Sequence, residues 1–374
     1  MKYLSLFFLC FVIISCDSPN LNEAKEETNS EHLQKHFTIR DSVGLTIITV
    51  NEPYLNAQLT ERYILYQKVE GRPEGVNADL FIGLPIERIG INSTTHLGFL
   101  NAIEQEEKIV AMSNQSLYYD AAFQNRIEKG LVEELGNRTL NVEKVIACEL
   151  DVLFSFAIDA TSHKAVKDLR DLGQPVVLIS EFNESHPIDK AKWLEVFAAF
   201  FQEDVQKLAA VKLKRIEKRY DSLKVKAKLY STLPKVMIGL PWKGTWYVSG
   251  ANSYQAQLIS DAGAIYPWSK YIQTQSVPLD IETTISQTLD ADFWINPGIA
   301  QSYSELEENN PAFTRFVSFK NKNVYTNYKR SNKLGANDYW ELGVVRPDLV
   351  LQDLVAIIHS EEIDSLTFYQ SLGQ

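Results

Sequence analysis

Ile188 to Tyr230 reads IDKAKWLEVFAAFFQEDVQKLAAVKLKRIEKRYDSLKVKAKLY, with neither glycine nor proline. Its apolar side chains Trp193, Phe197, Phe201, Val205, Leu208, Ile216, Tyr220 and Leu223 recur mainly at spacings of three and four, the period of an amphipathic helix. The stretch therefore reads as one long helix, or as two meeting near Gln202 to Asp204. Lys207, Lys212, Lys214, Arg215, Lys218 and Arg219 read as its solvated face. Short apolar strands alternate with helices on both sides of it. Before it, strands at Arg88–Asn92, Lys108–Met112, Asp151–Phe156 and Pro175–Ser180 are interleaved with helices at His96–Ile103, Asn141–Ala147 and Ser162–Leu172. After it come strands at Lys235–Leu240, Ala291–Asn296 and Asn323–Thr326. Helices at Ser253–Ala262, Ile281–Thr288 and Arg346–His359 separate or follow them, the last with Pro347 in its first turn. Bare apolar strands between helices imply mostly parallel sheets covered on both faces. The fold class is α/β: two Rossmann-like lobes, residues 36–187 and 231–374, joined by a helix over residues 188–230. The first lobe opens on a β-hairpin-rich meander, with strand-like runs at Thr38–Arg40, Leu45–Val50 and Tyr63–Val69.

The N-terminus sets the compartment. Lys2 precedes an apolar run of about a dozen residues, Tyr3 to Ile14, too short for a ~30 Å hydrocarbon core but suited to a secretory signal. The run ends in Ile13-Ile14-Ser15-Cys16, which resembles a bacterial lipobox; this implies a signal peptide over residues 1–15 and lipid attachment at Cys16. Residues 16–35 are polar, lack aromatics and read as a flexible tether. The expected location is the cell envelope, lipid-anchored on a periplasmic or extracytoplasmic face.

Composition narrows the function. The 374 residues carry 48 acids against 37 bases, which argues against a nucleic-acid binder needing a net basic face. Three cysteines cannot build a disulfide scaffold or a four-cysteine zinc site. The six histidines show no metal-ligand spacing. His96 reads as a core or cap residue and Cys148 as a buried thiol. Nucleophile-elbow, zincin, C-x-x-C and Walker patterns are all missing from the sequence, so the chain reads as a non-enzyme without a resident cofactor or metal.

From about Ile86 to His359 the order of elements resembles the helix-linked class of ABC-importer substrate-binding proteins, the group that captures ferric siderophores, haem or cobalamin. Ile89-Gly90-Ile91-Asn92-Ser93-Thr94-Thr95-His96 is similar to the opening of that family's first lobe. Asn141-Val142-Glu143 followed by Glu149-Leu150-Asp151-Val152-Leu153 is similar to its "N-x-E … P-D-L-V" element, with Leu150 in place of the proline. Gly250 to Gly263, Leu279-Asp280-Ile281-Glu282 with Asp290 to Ile295, and Arg346 to Leu354 continue the resemblance in the second lobe. It implies a monomeric protein that carries a small metal chelate to an ABC permease and its ATPase, with Glu143 and Glu282 as the carboxylates that dock on the permease. Aromatic loops following strands are the candidate cleft lining: Tyr118, Tyr119, Trp242, Trp246, Tyr247, Trp268, Tyr339 and Trp340. Arg126, Lys243 and Arg330 are candidate contacts for an anionic siderophore, with ordinary solvated charge as the other reading. Aromatic loops suit all three chelate classes, so the ligand stays open. The alternatives are a lipid-anchored hydrolase or a binding module that works without a permease.

Overall fold

The structure, a computed structural model, describes residues 36–373 apart from Val43, Arg138 and residues 362–364. The signal peptide, Cys16 and the tether lie outside the described residues. The chain opens on a four-stranded sheet of β1 (Phe37–Ser42), β2 (Leu45–Asn51), β3 (Thr60–Gln67) and β4 (Leu80–Leu84), paired in that order. The first two pairings are antiparallel, as a meander requires, but β4 lies parallel to β3. The connection between them returns to the start of β3, where the Asp79 carboxylate accepts from the Arg62 amide at 2.8 Å.

Next come β5 (Ile89–Ile91), α1 (Thr94–Ala102), β6 (Ile109–Met112), α2 (Ala121–Glu128), β7 (Glu133–Glu134), α3 (Val142–Ala147), β8 (Val152–Ser155), α4 (Ala160–Asp171) and β9 (Val176–Leu178). The five strands form a parallel sheet in the order β7-β6-β5-β8-β9. Strands β5, β8 and β9 are buried along their whole length, which explains their bare apolar sequences. The N-terminal sheet braces this lobe: the Tyr63 hydroxyl accepts from the Leu178 amide at 3.0 Å. Beside it, buried Glu61 pairs with Arg170 at 2.6 Å and His163 at 2.7 Å on α4.

The linking stretch is two helices, α5 (Pro187–Ala198) and α6 (Glu203–Ala227). Gln202, extended at φ −68° and ψ 164°, starts α6 afresh. The break lets Phe197, Phe200 and Phe201 sink into the first-lobe core while α6 runs on with a wet face.

The second lobe contains β10 (Val236–Ile238), β11 (Thr245–Val248), α7 (Tyr254–Asp261), β12 (Val277–Asp280), α8 (Ile281–Thr288), β13 (Phe293–Ile295), α9 (Tyr303–Asn309), α10 (Val317–Lys320) and β14 (Val324–Thr326). Then follow α11 (Leu342–Val345), α12 (Pro347–Ile358) and β15 (Gln370–Ser371). Its sheet runs β10-β13-β14-β15, parallel except for the antiparallel edge β15, and β11 and β12 form a separate antiparallel ribbon. One segment crosses back. Val344 and Val345 of α11 are buried in the first-lobe core, and α12 then returns to the second. The crossing is close enough that a Cβ on Gly98 of α1 would stand 2.3 Å from the Glu341 carbonyl oxygen, so only glycine fits there.

Candidate ligand-binding cleft

In parallel α/β lobes a ligand meets the loops beyond the carboxyl ends of the strands. In the first lobe this edge is fixed by polar side chains. Ser113, just past β6, donates to Asn92 Oδ1 at 2.6 Å, and Asn92 Nδ2, just past β5, donates to Ser155 Oγ on β8 at 2.9 Å. One asparagine thus clasps three neighbouring strands. Beside it, Thr95 Oγ1 donates to Glu181 at 2.7 Å. Burial raises the Glu181 carboxyl above its ordinary range, Lys190 and Thr95 opposing.

The loop after β6 presents Leu117 and Tyr119 outward and buries Tyr118. Asp120 caps α2 through the Phe123 amide at 2.7 Å. Into the same helix start reaches Glu341 of the crossing segment, accepting from the Tyr119 and Asp120 amides. Burial pushes its carboxyl up to about 8, against those two amides, which favour the charged form. The Arg330 guanidinium lies 5.6 Å from the Tyr119 ring centre and its Nε donates to Asp338 at 2.6 Å. Tyr119, Arg330 and Trp340 are therefore brought to one seam between the lobes, with Thr94 Oγ1 3.5 Å from the Trp340 carbonyl oxygen.

The second lobe holds its edge by indoles. Trp246 Nε1 donates to the Ile238 carbonyl at 3.1 Å and Trp294 Nε1 to the Gly239 carbonyl at 2.8 Å, two successive acceptors at the end of β10. Beyond them the chain makes a tight turn closed by Trp242 and Thr245, with Lys243 and Gly244 at φ 50° and 82°. Trp242 is 62% exposed at this tip, and Lys243 Nζ lies 4.5 Å over its ring.

The eight candidate aromatics divide. Tyr119, Trp242, Tyr247 and Trp340 keep surface available to a ligand. Tyr118, Trp246, Trp268 and Tyr339 do not: they are core residues, and the reading of them as cleft lining is corrected. The sequence PWKGTWYVSG is a turn entering β11 rather than an open loop. On β11, side chains alternate, so Trp246 points into the core against Phe313 and Trp294 while Tyr247 faces out. Trp268 is enclosed edge-on to Tyr266, and Tyr339 is packed among Phe368, Tyr369 and Trp340. Arg126 is also corrected as a ligand contact. Its guanidinium donates to the carbonyls of Glu106, Glu107 and Ile109, holding the turn before β6.

Ile158 and Ile299 went unremarked in the sequence. Both are well exposed a few residues past strand ends, after β8 and β13. The readable signal was an isoleucine placed among turn residues directly after a buried strand. Glu143 and Glu282 occupy matching places, each exposed in the first turn of a helix, α3 and α8, with Asn141 and Asp280 as caps. His96 is fully buried between Phe154 and Phe197, and burial lowers its ring to about 3. Cys148 is buried, and burial raises its thiol. Among the described residues no group of three or more histidine, cysteine or acidic side chains is placed to hold a metal ion, and no helix is long and apolar enough to cross a membrane.

Comparison with known proteins agrees with this architecture. An uncharacterised lipoprotein of Methanocaldococcus jannaschii is 25% identical over 290 residues, covering 75% of this chain and 67% of that protein. Among the solved structures that share the fold are the following three. A possible iron-binding (periplasmic solute-binding) protein from Staphylococcus epidermidis has TM-score 0.56 and 18% identity, over 73% of this chain and 99% of that one. A periplasmic haem-binding protein of Vibrio cholerae has TM-score 0.54 and 18% identity, over 71% and 99%. A periplasmic vitamin B12-binding protein of Vibrio cholerae has TM-score 0.51 and 14% identity, over 74% and 98%. The periplasmic binding protein family matches residues 91–330, well over half of the chain, and the chain belongs to that family.

Proposed function

We propose that this protein is the lipid-anchored, extracytoplasmic binding component of an ABC importer and captures a ferric siderophore, haem or cobalamin between its lobes. The observation that carries the reading is the seam of Tyr119, Arg330 and Trp340, with Trp242 exposed on a second-lobe turn beyond the end of β10. Exposed aromatic faces at strand ends suit a flat or macrocyclic chelate, and a guanidinium already stacked on tyrosine suits an anionic one. Family membership and the iron-, haem- and vitamin B12-binding names of the structural relatives support it.

Titration of the purified protein with haem, a ferric hydroxamate and cobalamin tests it. Four of the six tryptophans are fully buried, so contact quenching reports on Trp242 and Trp340, while energy transfer to a coloured chelate reaches all six. One chelate class binds at ~1 μM or tighter. Trp340→Ala weakens it about tenfold, on the scale of one aromatic contact. No binding by any of the three overturns the reading. Delivery rests on Glu143 and Glu282: reversing both charges leaves chelate affinity unchanged and abolishes uptake by cells. Anchoring rests on Cys16: Cys16→Ser releases the protein from the membrane fraction.

A further inference from the structure

The linking helix carries a pocket of its own, lined by none of the candidate cleft aromatics. A cavity of about 440 Å³ opens where α6 meets the end of α1, the middle of α5 and the α11–α12 turn. Helix α1 begins at the cleft edge and reaches the cavity only at Ala102, its ninth and last residue. Along α1 the cavity stands about 13 Å, one helix length, from the helix start at Thr94, while on the crossing segment its lining residue Leu342 follows Trp340 by two positions. Its floor is apolar, made by Leu194, Ile216, Leu342 and Val345. Its wall is cationic, made by Lys212, Arg215, Arg219 and Arg346.

On a chain of net charge −11, four converging cations are a local inversion of sign. Acids answer them only in part. Asp348, fully buried, accepts twice from Arg346, at 2.8 and 2.7 Å, and lies 3.7 Å from Arg219 Nε. Glu104 takes Lys212 at 3.0 Å. The Arg215 side chain is exposed and makes no hydrogen bond or ion pair with the described residues. A solvated helix face accounts for the charges, as the sequence alone suggested, but not for their gathering over an apolar floor.

We infer that this cavity binds an amphiphilic oxyanion, its phosphate or carboxylate held by the Arg215 fork with Lys212 and Arg219, and its apolar body laid on Leu194 and Leu342. A planar guanidinium fork matches such oxyanions. The occupant touches both the first-lobe helices and the α11–α12 crossing, the elements whose relation a hinge between lobes must change. Two sources share this chemistry, a soluble organic phosphate and the headgroup of an acidic phospholipid. The inference does not depend on which chelate the cleft takes.

Calorimetric titration of the mature protein in non-ionic detergent tests it, with inorganic phosphate, octyl phosphate, dihexanoyl phosphatidylglycerol and dihexanoyl phosphatidylcholine as probes. Octyl phosphate binds saturably, about tenfold or more tighter than inorganic phosphate, because the floor contributes. Arg215→Glu weakens it at least about tenfold, while Lys218→Glu, one exposed charge altered on the same helix outside the cavity, leaves it within about twofold. Binding of phosphatidylglycerol but not phosphatidylcholine assigns a lipid headgroup, and binding of octyl phosphate alone assigns a soluble amphiphile. Octyl phosphate that fails to saturate by ~1 mM, or binds Arg215→Glu as it binds the parent, overturns the inference. Circular dichroism of Arg215→Glu, expected to match the parent, separates loss of the site from loss of the fold.

Discussion

The two lobes solve one problem with different chemistry. Each must hold loops steady beyond the ends of short parallel strands. The first lobe does so with a polar clasp, Ser113 to Asn92 to Ser155, across three strands. The second uses two indoles, Trp246 and Trp294, whose N–H groups fasten successive carbonyls at the end of β10 while their rings fill the core. A clasp of small side chains leaves little bulk at the edge, so the first lobe offers a low rim. The indole solution ties edge order to core packing, and most of the exposed candidate aromatics stand on that lobe and the crossing segment.

The contrast breaks most visibly at Trp294. It is fully buried, with Trp246, Phe313 and Phe316 ring centres within 6.0 Å. Trp294→Ala removes both a core filler and the Gly239 tie, and lowers unfolding free energy by about 3–5 kcal/mol. Denaturant titration gives the value, and a loss below about 2 kcal/mol would mean that core and edge are not coupled there. Asn92→Ala, in the first lobe, leaves the buried Ser113 and Ser155 hydroxyls without their partner and costs about 1–3 kcal/mol. No large cavity opens, so crystals of Asn92→Ala keep the core of the first lobe and shift only the loops after β5 and β6.

The same contrast explains what could be read beforehand. Helices with a clear start signal were legible almost to the residue, as at the capping Asp280 before α8 and Pro347 in the first turn of α12. The break in the linking stretch was legible only as one of two options. What turned the chain at Gln202 was the burial of Phe200 and Phe201 by the first lobe, a tertiary demand. Half of the candidate aromatics keep their rings at the surface. Three candidate pairs are doublets, Tyr118-Tyr119, Trp246-Tyr247 and Tyr339-Trp340, and in each the first ring is buried and the second faces out. Only Trp246-Tyr247 lies on a strand, β11, where neighbouring side chains point to opposite faces, whereas Tyr118-Tyr119 lies in the loop before α2 and Tyr339-Trp340 in the helical turn before α11. A doublet spelled in sequence thus offers one face to the core and one to solvent, and which is which depends on packing that spacing alone does not encode.

Glu341 sharpens the comparison from the seam itself. Its carboxyl is raised from the ordinary 4.5 to about 8, burial being the largest cause. The folded protein therefore holds one more proton there than the unfolded chain between those two values. Its stabilising effect is full below the unfolded value and is lost as pH rises through the folded one, at up to about 1.4 kcal/mol per pH unit. Melting followed from pH 5 to 9 falls on the alkaline side, and Glu341→Gln, always neutral, flattens that fall. An equal slope in both proteins would remove Glu341 from the account.

The smallest effect is expected where the lobes are most alike. Asn141 accepts from the Lys144 amide at 3.0 Å and Asp280 from the Thr283 amide at 2.7 Å, so α3 and α8 carry the same cap and the same first-turn glutamate. Only one of the caps can titrate. Hydrogen bonds from Thr283 hold the Asp280 carboxyl below its ordinary range, so its contribution is present above the unfolded value and is lost as pH falls through the lower folded one. Asp280→Asn substitutes one good cap for another and leaves the melting temperature at pH 7 within about a degree. The variant then loses less stability than the parent between pH 4 and pH 2. A drop at neutral pH instead would show that the Asp280 charge, rather than its cap geometry, holds α8 and the Glu282 beside it, and the two lobes would then differ at the positions where they look most alike.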